Sequence, residues 1–165
     1  MPKPKLAPPT TRVPESGTFR SARRPLLTWP DERLVQPSDS VHPCAPSTVV
    51  VAEAMIATMC ATGRVALSAP QIGELVRLIC VDVIGRIVLV KPCIVQRRGA
   101  AILPEECPSV PGVKAEIERA TDILVEGFEP GTGRKILWTT HGLEARWIQH
   151  EIDHLDGVLI VGQAR

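Results

Sequence analysis

The chain has 165 residues, a formal net charge of +1, 44% hydrophobic residues, no Tyr and only two Phe. That length suits one domain with a real core, and the near-neutral charge with so few aromatics argues against a nucleic-acid partner, whose footprint is basic or built of stacking rings. The longest apolar run, residues 78–90, is interrupted by Asp82, Gly85 and Arg86, so no membrane span or membrane partner is expected.

Residues 1–25 hold six prolines, six Lys or Arg, and a single acid, Glu15. Such a segment buries too little apolar surface to order itself and reads as a disordered tail. A transit peptide is the weaker alternative, because the prolines spoil an amphipathic helix. From "PLLTWPDERL" onward the pattern is that of a folded domain, residues 26–165. A first helix is predicted over 48–62: Ser47 or Thr48 can cap it, Ala52, Met55, Ile56 and Met59 share a face, and Gly63 can end it. "VALSAPQIG" (65–73) follows, with Pro70 fixing the backbone and Gln71 offering a side-chain amide; alone it is an ordinary turn. Strands are predicted at 76–83 and 86–90 about a turn at Gly85, and at 123–128 and 135–139 about "EPGTGR". Between them "LPEECPSVPG" reads as a Pro-bracketed loop. A second helix runs from Gly142 to about Asp156 and stops at Gly157. Strands without βαβ alternation, and a helix last, point to α+β. The five cysteines, Cys44, Cys60, Cys80, Cys93 and Cys107, are odd in number and scattered. They read as reduced thiols of a cytoplasm-like compartment, most of them buried as small apolar groups.

The second helix carries "QHEIDHLDG" (149–157). His150 and His154, one turn apart on one face, can bind a single ion, and Glu151 stands where it can take a proton from water on that ion. Asp153 and Asp156 read as solvated. Two downstream solutions for a third ligand fail: no glutamate follows Glu151, and the place of a metzincin's third histidine is Ile160. The ligand is therefore sought upstream. Cys107, in its Pro-bracketed loop, is the candidate, since His42 and His141 have no motif around them. A Cys and two His leave one position open for water, the arrangement of a catalytic metal.

Taken together, "ALSAPQIG", "EECPSVPG" and "IQHEIDHLDGVL" resemble, in this order, the three motifs of peptide deformylases, and the resemblance extends over roughly residues 26–162. It implies antiparallel β-sheets packed around the C-terminal HExxH helix, with one N-terminal helix. It implies removal of the N-formyl group from N-formylmethionyl peptides or a related formylated substrate, with Fe(II) as cofactor and Zn(II) or Ni(II) able to occupy the site. Cys107, His150 and His154 would be ligands, Glu151 the general acid/base, and Gln71 the donor to the formyl oxygen. Val65, Ala66, Glu106, Pro108, Leu143 and Trp147 would line the substrate site. A cytoplasmic protein near the ribosome, monomeric or weakly dimeric, is the expectation that goes with this. The sequence also departs from the family pattern: Arg64 and Ala66 replace glycines of the first motif, Glu106 replaces the glycine of the second, and Pro108 follows the cysteine. Proline has no N–H to give an oxyanion. These departures predict an altered substrate rim, and they make a metal-retaining paralogue with a binding or regulatory role the alternative.

Overall fold

The computed structural model describes residues 22–83 and 85–163, so most of the expected tail, residues 1–21, lies outside the described residues. Just ahead of residue 26 the chain is already held: the Arg24 N–H donates to Thr58 Oγ1 at 2.9 Å, and its guanidinium pairs with Glu74. Helix α1 (Pro46–Thr62) starts at Pro46 and not at Thr48. A proline in the first helical turn loses no hydrogen bond and arrives with its φ preset. Neither Ser47 nor Thr48 caps the helix; the Thr48 hydroxyl donates to the His42 carbonyl at 2.8 Å instead. The predicted face is buried, and Val51, Ala54 and Thr58 are buried with it. Gly63 ends the helix at φ 64°, its N–H returning to the Met59 carbonyl.

Seven strands follow: β1 (Ala66–Ser68), β2 (Leu78–Asp82), β3 (Arg86–Arg98), β4 (Ala101–Cys107), β5 (Val110–Arg119), β6 (Asp122–Phe128) and β7 (Lys135–His141). Five make an antiparallel sheet in the order β1-β2-β3-β6-β7, and β4 and β5 form a separate ribbon. The predicted strand at 86–90 is only the start of β3. That strand pairs with β2 as far as Val90, shifts register twice, and continues along β6 to Arg98. Strands β1, β4 and β5 were not expected. Correspondingly, the reading of "LPEECPSVPG" as a loop is corrected: Cys107 is the last residue of β4, only 3% exposed, and the turn is just Pro108 and Ser109. The cysteine reading is corrected too, since Cys44, Cys60 and Cys93 are exposed and only Cys80 and Cys107 are buried.

Helix α2 (Gly142–Leu155) lies against the five-stranded sheet, with Ala145, Ile148, Ile152 and Leu155 packed on Ile79, Leu89, Val125 and Trp138. Its other side meets the ribbon through Arg146, whose guanidinium donates to the carbonyls of Ala101 (2.8 Å) and Ile117 (3.1 Å). The helix is thus enclosed by sheets on both sides, which is why its polar residues are buried as well as its apolar ones. Gly157 turns the chain away at φ 72°; a Cβ there would sit 2.6 Å from the Val35 carbonyl oxygen, so only glycine fits. A third apolar cluster joins Cys107, Val110, Ala115 and Ile117 of the ribbon to Leu34, Leu159 and Ile160, fixing the end of β4 beside α2.

Candidate metal centre

Helix α2 brings His150 and His154 onto one face, and the end of β4 brings Cys107 to meet them. Cys107 Sγ is 3.3 Å from His154 Nε2, the two Nε2 atoms are 3.2 Å apart, and all three donor atoms lie within 4.8 Å of one another. Two nitrogens and a sulfur on one tetrahedral ion stand about 3.3–3.6 Å apart, given the usual metal–ligand lengths. The three side chains therefore fit a single metal ion.

The surroundings fix the ring that matters. His150 Nδ1 lies 3.1 Å from Glu105 Oε2, so Nδ1 carries a proton and Nε2 is the atom turned toward Cys107 and His154. Glu105 is held in turn by Arg119, at 2.6 and 2.9 Å, and by Arg146. Burial disfavours charge on Glu105, but His150 and Arg119 outweigh it and hold the carboxyl down at about 2. Arg119 also pairs with Asp153 at 2.7 Å, and Gln163 donates to the same carboxylate, so Asp153 is not solvated as expected. Asp156 pairs with Arg77 at the surface. Burial also works against a charged His150; contacts with Cys107, Glu105 and Glu151 override it and lift the imidazole to about 10. His154 is pushed down to about 3 by burial and by its neighbour His150. A cation seated between them takes the place of protons on these nitrogens.

Glu151 is 4% exposed, and its Oε2 is buried with no hydrogen-bond partner among the described residues. Burial raises its pKa, with His150, Ser68 and Arg64 opposing. A buried, unpaired carboxylate oxygen beside three metal donors suits a proton acceptor. Gln71 is 2% exposed and locked in one orientation. Its Oε1 accepts from the Ser68 N–H at 2.9 Å and the Ser68 hydroxyl at 3.1 Å. The amide Nε2 therefore faces Ser109 Oγ at 3.2 Å and Cys107 Sγ at 4.0 Å.

A cleft of about 450 Å³ opens over His150 and Glu151, and its walls include Val65, Ala66, Glu106, Pro108, Leu143 and Trp147. All six expected substrate-site residues thus share one hollow. It runs between β1, at the edge of the sheet, and β4 of the ribbon. A second hollow of about 490 Å³, bordered by Cys107, Pro108 and Val113, adjoins it. Sequence reasoning missed Glu105, Arg119, Arg146 and Ser109, which hold the metal donors and the Gln71 amide in place. The sequence-level signal that could have found one of them is Glu105, which stands two residues before Cys107 in "EECPSVPG".

Two helical histidines, a glutamate between them and a cysteine from a facing strand form a group that could hold one metal ion, the arrangement of an HExxH-type metallohydrolase. A family profile described as polypeptide deformylase matches residues 23–165. Peptide deformylase 1 of Bacillus anthracis is 39% identical over 141 residues, covering 84% of this chain and 90% of that one. A peptide deformylase structure from Legionella pneumophila superposes with a TM-score of 0.81 at 36% identity, over 87% of each chain. A class I type b peptide deformylase from Acinetobacter baumannii, solved with Met-Ala-Ser bound, gives 0.80 at 27% identity, over 87% of this chain and 99% of that one. The chain belongs to the polypeptide deformylase family and is a metal-dependent deformylase.

Proposed function

We propose that the chain removes the formyl group from N-formylmethionyl peptides or closely related formylated peptides, with Cys107, His150 and His154 holding the metal. The observation that carries this is the convergence of the three donors beside the unpartnered Glu151 Oε2. A thiolate and two imidazoles suit iron, zinc or nickel; Fe(II) is the native ion we assign, by analogy with the family. Such an ion supplies a Lewis acid that polarises the formyl carbonyl and acidifies water.

The rest is the work of the chain. The free edges of β1, from Ala66 with Val65 just ahead of it, and of β4, at Glu106, flank the cleft, so an extended peptide can lie between them and pair its backbone with theirs. Leu143 and Trp147 border the space for the first side chain. As water attacks the formyl carbon, Glu151 takes its proton; Gln71 Nε2 donates to the oxygen that becomes negative. Glu151 then delivers the proton to the amine nitrogen as the C–N bond breaks, releasing formate and a free amino terminus. We assign residues 26–165 to this catalytic domain, with Arg24 already anchored to it just ahead. The site of action we infer is the cytoplasm near the ribosome, as a monomer or weak dimer; the bacterial relatives support the cytoplasmic part of this setting. No helix of the described residues is long and apolar enough to cross a membrane.

Glu151→Gln tests the assignment. It keeps the shape and the three ligands but removes the proton acceptor. The variant should hold as much metal as the parent while formate release from formyl-Met-Ala-Ser falls by about 10²–10⁴-fold. Near-parental turnover would remove Glu151 from the mechanism.

A further inference from the structure

The cations near the cleft differ in how they are neutralised. Arg119 is shared between Glu105 and Asp153, Arg146 is taken by Glu105 and the ribbon carbonyls, and Lys114 lies 3.7 Å from Glu106. Arg64 has no such contact, although its charge acts on Glu151. Its guanidinium joins no ion pair among the described residues, and its Nε is buried without a hydrogen bond. It is half-buried where α1 ends, and it borders both hollows: the one over His150 and Glu151 and the one beside Cys107. Glu151 Oε2 is likewise without a hydrogen bond, so the attraction between the two charges is not closed by a contact between these two atoms.

A guanidinium is charged at every accessible pH, and a buried N–H left without an acceptor is costly. An arginine kept in that state at the wall of a substrate cleft is completed by an acceptor that arrives with the substrate. The planar fork of an arginine matches a carboxylate in two parallel hydrogen bonds. Carboxylate is also the anion that an unmodified peptide carries, either on an Asp or Glu side chain or at its chain end. We propose that Arg64 reads a carboxylate on the substrate, so that this enzyme favours formylated peptides with a negative charge on the residue that follows the formylated one or at the end of a short chain. This rests on the deformylase reading. It makes Arg64 a specificity-determining residue that acts in binding, since the contact is made before the formyl group reacts.

The test uses peptide pairs that differ only in charge: formyl-Met-Glu-amide, formyl-Met-Gln-amide and formyl-Met-Lys-amide for a side chain, and formyl-Met-Ala against its amide for the chain end. With the metal-loaded enzyme, kcat/KM for the acid of at least one pair should exceed that of its neutral partner about tenfold, through KM, and the lysine peptide should rank last. Which pair responds tells the side chain from the chain end as source. Raising the salt should shrink the ratio. In Arg64→Gln the acid-to-neutral ratio should fall to about one, and Arg64→Lys should keep part of it, which a merely structural loss would not do. Calorimetric binding of the same peptides to metal-loaded Glu151→Gln gives the ratio without turnover. If no peptide were deformylated the deformylase reading would fail, while the binding ratio would still decide the role of Arg64. A ratio of one in both pairs, or a ratio unchanged in Arg64→Gln, would overturn the proposal.

Discussion

Replacing Glu105 by Gln removes one negative charge from a point where two guanidinium groups and an imidazole N–H converge. The side chains concerned are 6–7% exposed for Glu105, Arg119 and Arg146, so water cannot take over the lost interactions. Breaking a buried ion pair costs about 3–5 kcal/mol, because the remaining charge stays buried. Here Arg119 keeps Asp153 at 2.7 Å and Arg146 keeps the Ala101 and Ile117 carbonyls, which places the loss near the low end, about 3 kcal/mol. At roughly 2–4 °C per kcal/mol for a protein of this size, the metal-free variant should melt about 6–12 °C lower. His150 also loses the carboxylate that orients it, and loss of such a partner weakens metal binding about 10–100-fold. Calorimetric melting of the metal-free protein and competition against a chromophoric chelator read the two effects. Acid adds a third reading. The carboxyl stands at about 2 in the folded protein against an ordinary 4.5, so its contribution is complete above pH 4.5 and fades as the pH falls toward 2. That part of the acid limb should be missing in Glu105→Gln. A variant within 2 °C of the parent (roughly 1 kcal/mol) and equal to it in metal affinity would refute the reasoning.

Cys107→Ala removes one of three converging donors and should abolish tight metal binding; unchanged metal content would exclude Cys107 as a ligand. Trp147 is half-buried on the cleft wall, so Trp147→Val should raise kcat/KM for formyl-Met relative to formyl-Gly peptides, and an unchanged ratio would mean that the indole does not limit the space. Pro108 occupies the turn just after Cys107 and has no N–H, so Pro108→Leu should raise kcat with little change in KM, toward the 10²–10³-fold that one oxyanion donor is typically worth. A metal-loaded, folded Pro108→Leu enzyme that is no faster would mean that Gln71 and the metal suffice.

How much of this was legible depends on what each residue advertises locally. Helix α2 was, because the His150–His154 spacing and Gly157 are signals within one element. The pairs β2–β3 and β6–β7 were, because their β-branched runs flank short turns. The ribbon was not. Its strand β5 alternates cleanly, with Ala115, Ile117 and Arg119 buried between exposed Glu116 and Glu118, but a buried arginine at a core position and flanking acids disguise the pattern as a charged loop. Pro104 and Pro108 disguised β4 in the same way, although proline is tolerated on an edge strand. The ligand set could be argued from what was missing after His154. The Glu105–Arg119–Arg146 network could not, because its members lie on three elements that only the fold brings together. The Gln71 amide was legible as a donor, but its aim comes from Ser68 and Ser109.

Metal-dependent deformylation is measured most directly as formate released per bound metal from formyl-Met-Ala-Ser, with the protein loaded with Fe(II) under anaerobic conditions and compared with its metal-free form. Repeated turnover is expected that scales with metal occupancy, reaches its limit at one ion per chain, and vanishes on chelation. Full occupancy by one ion through Cys107, His150 and His154 with no formate release would contradict it.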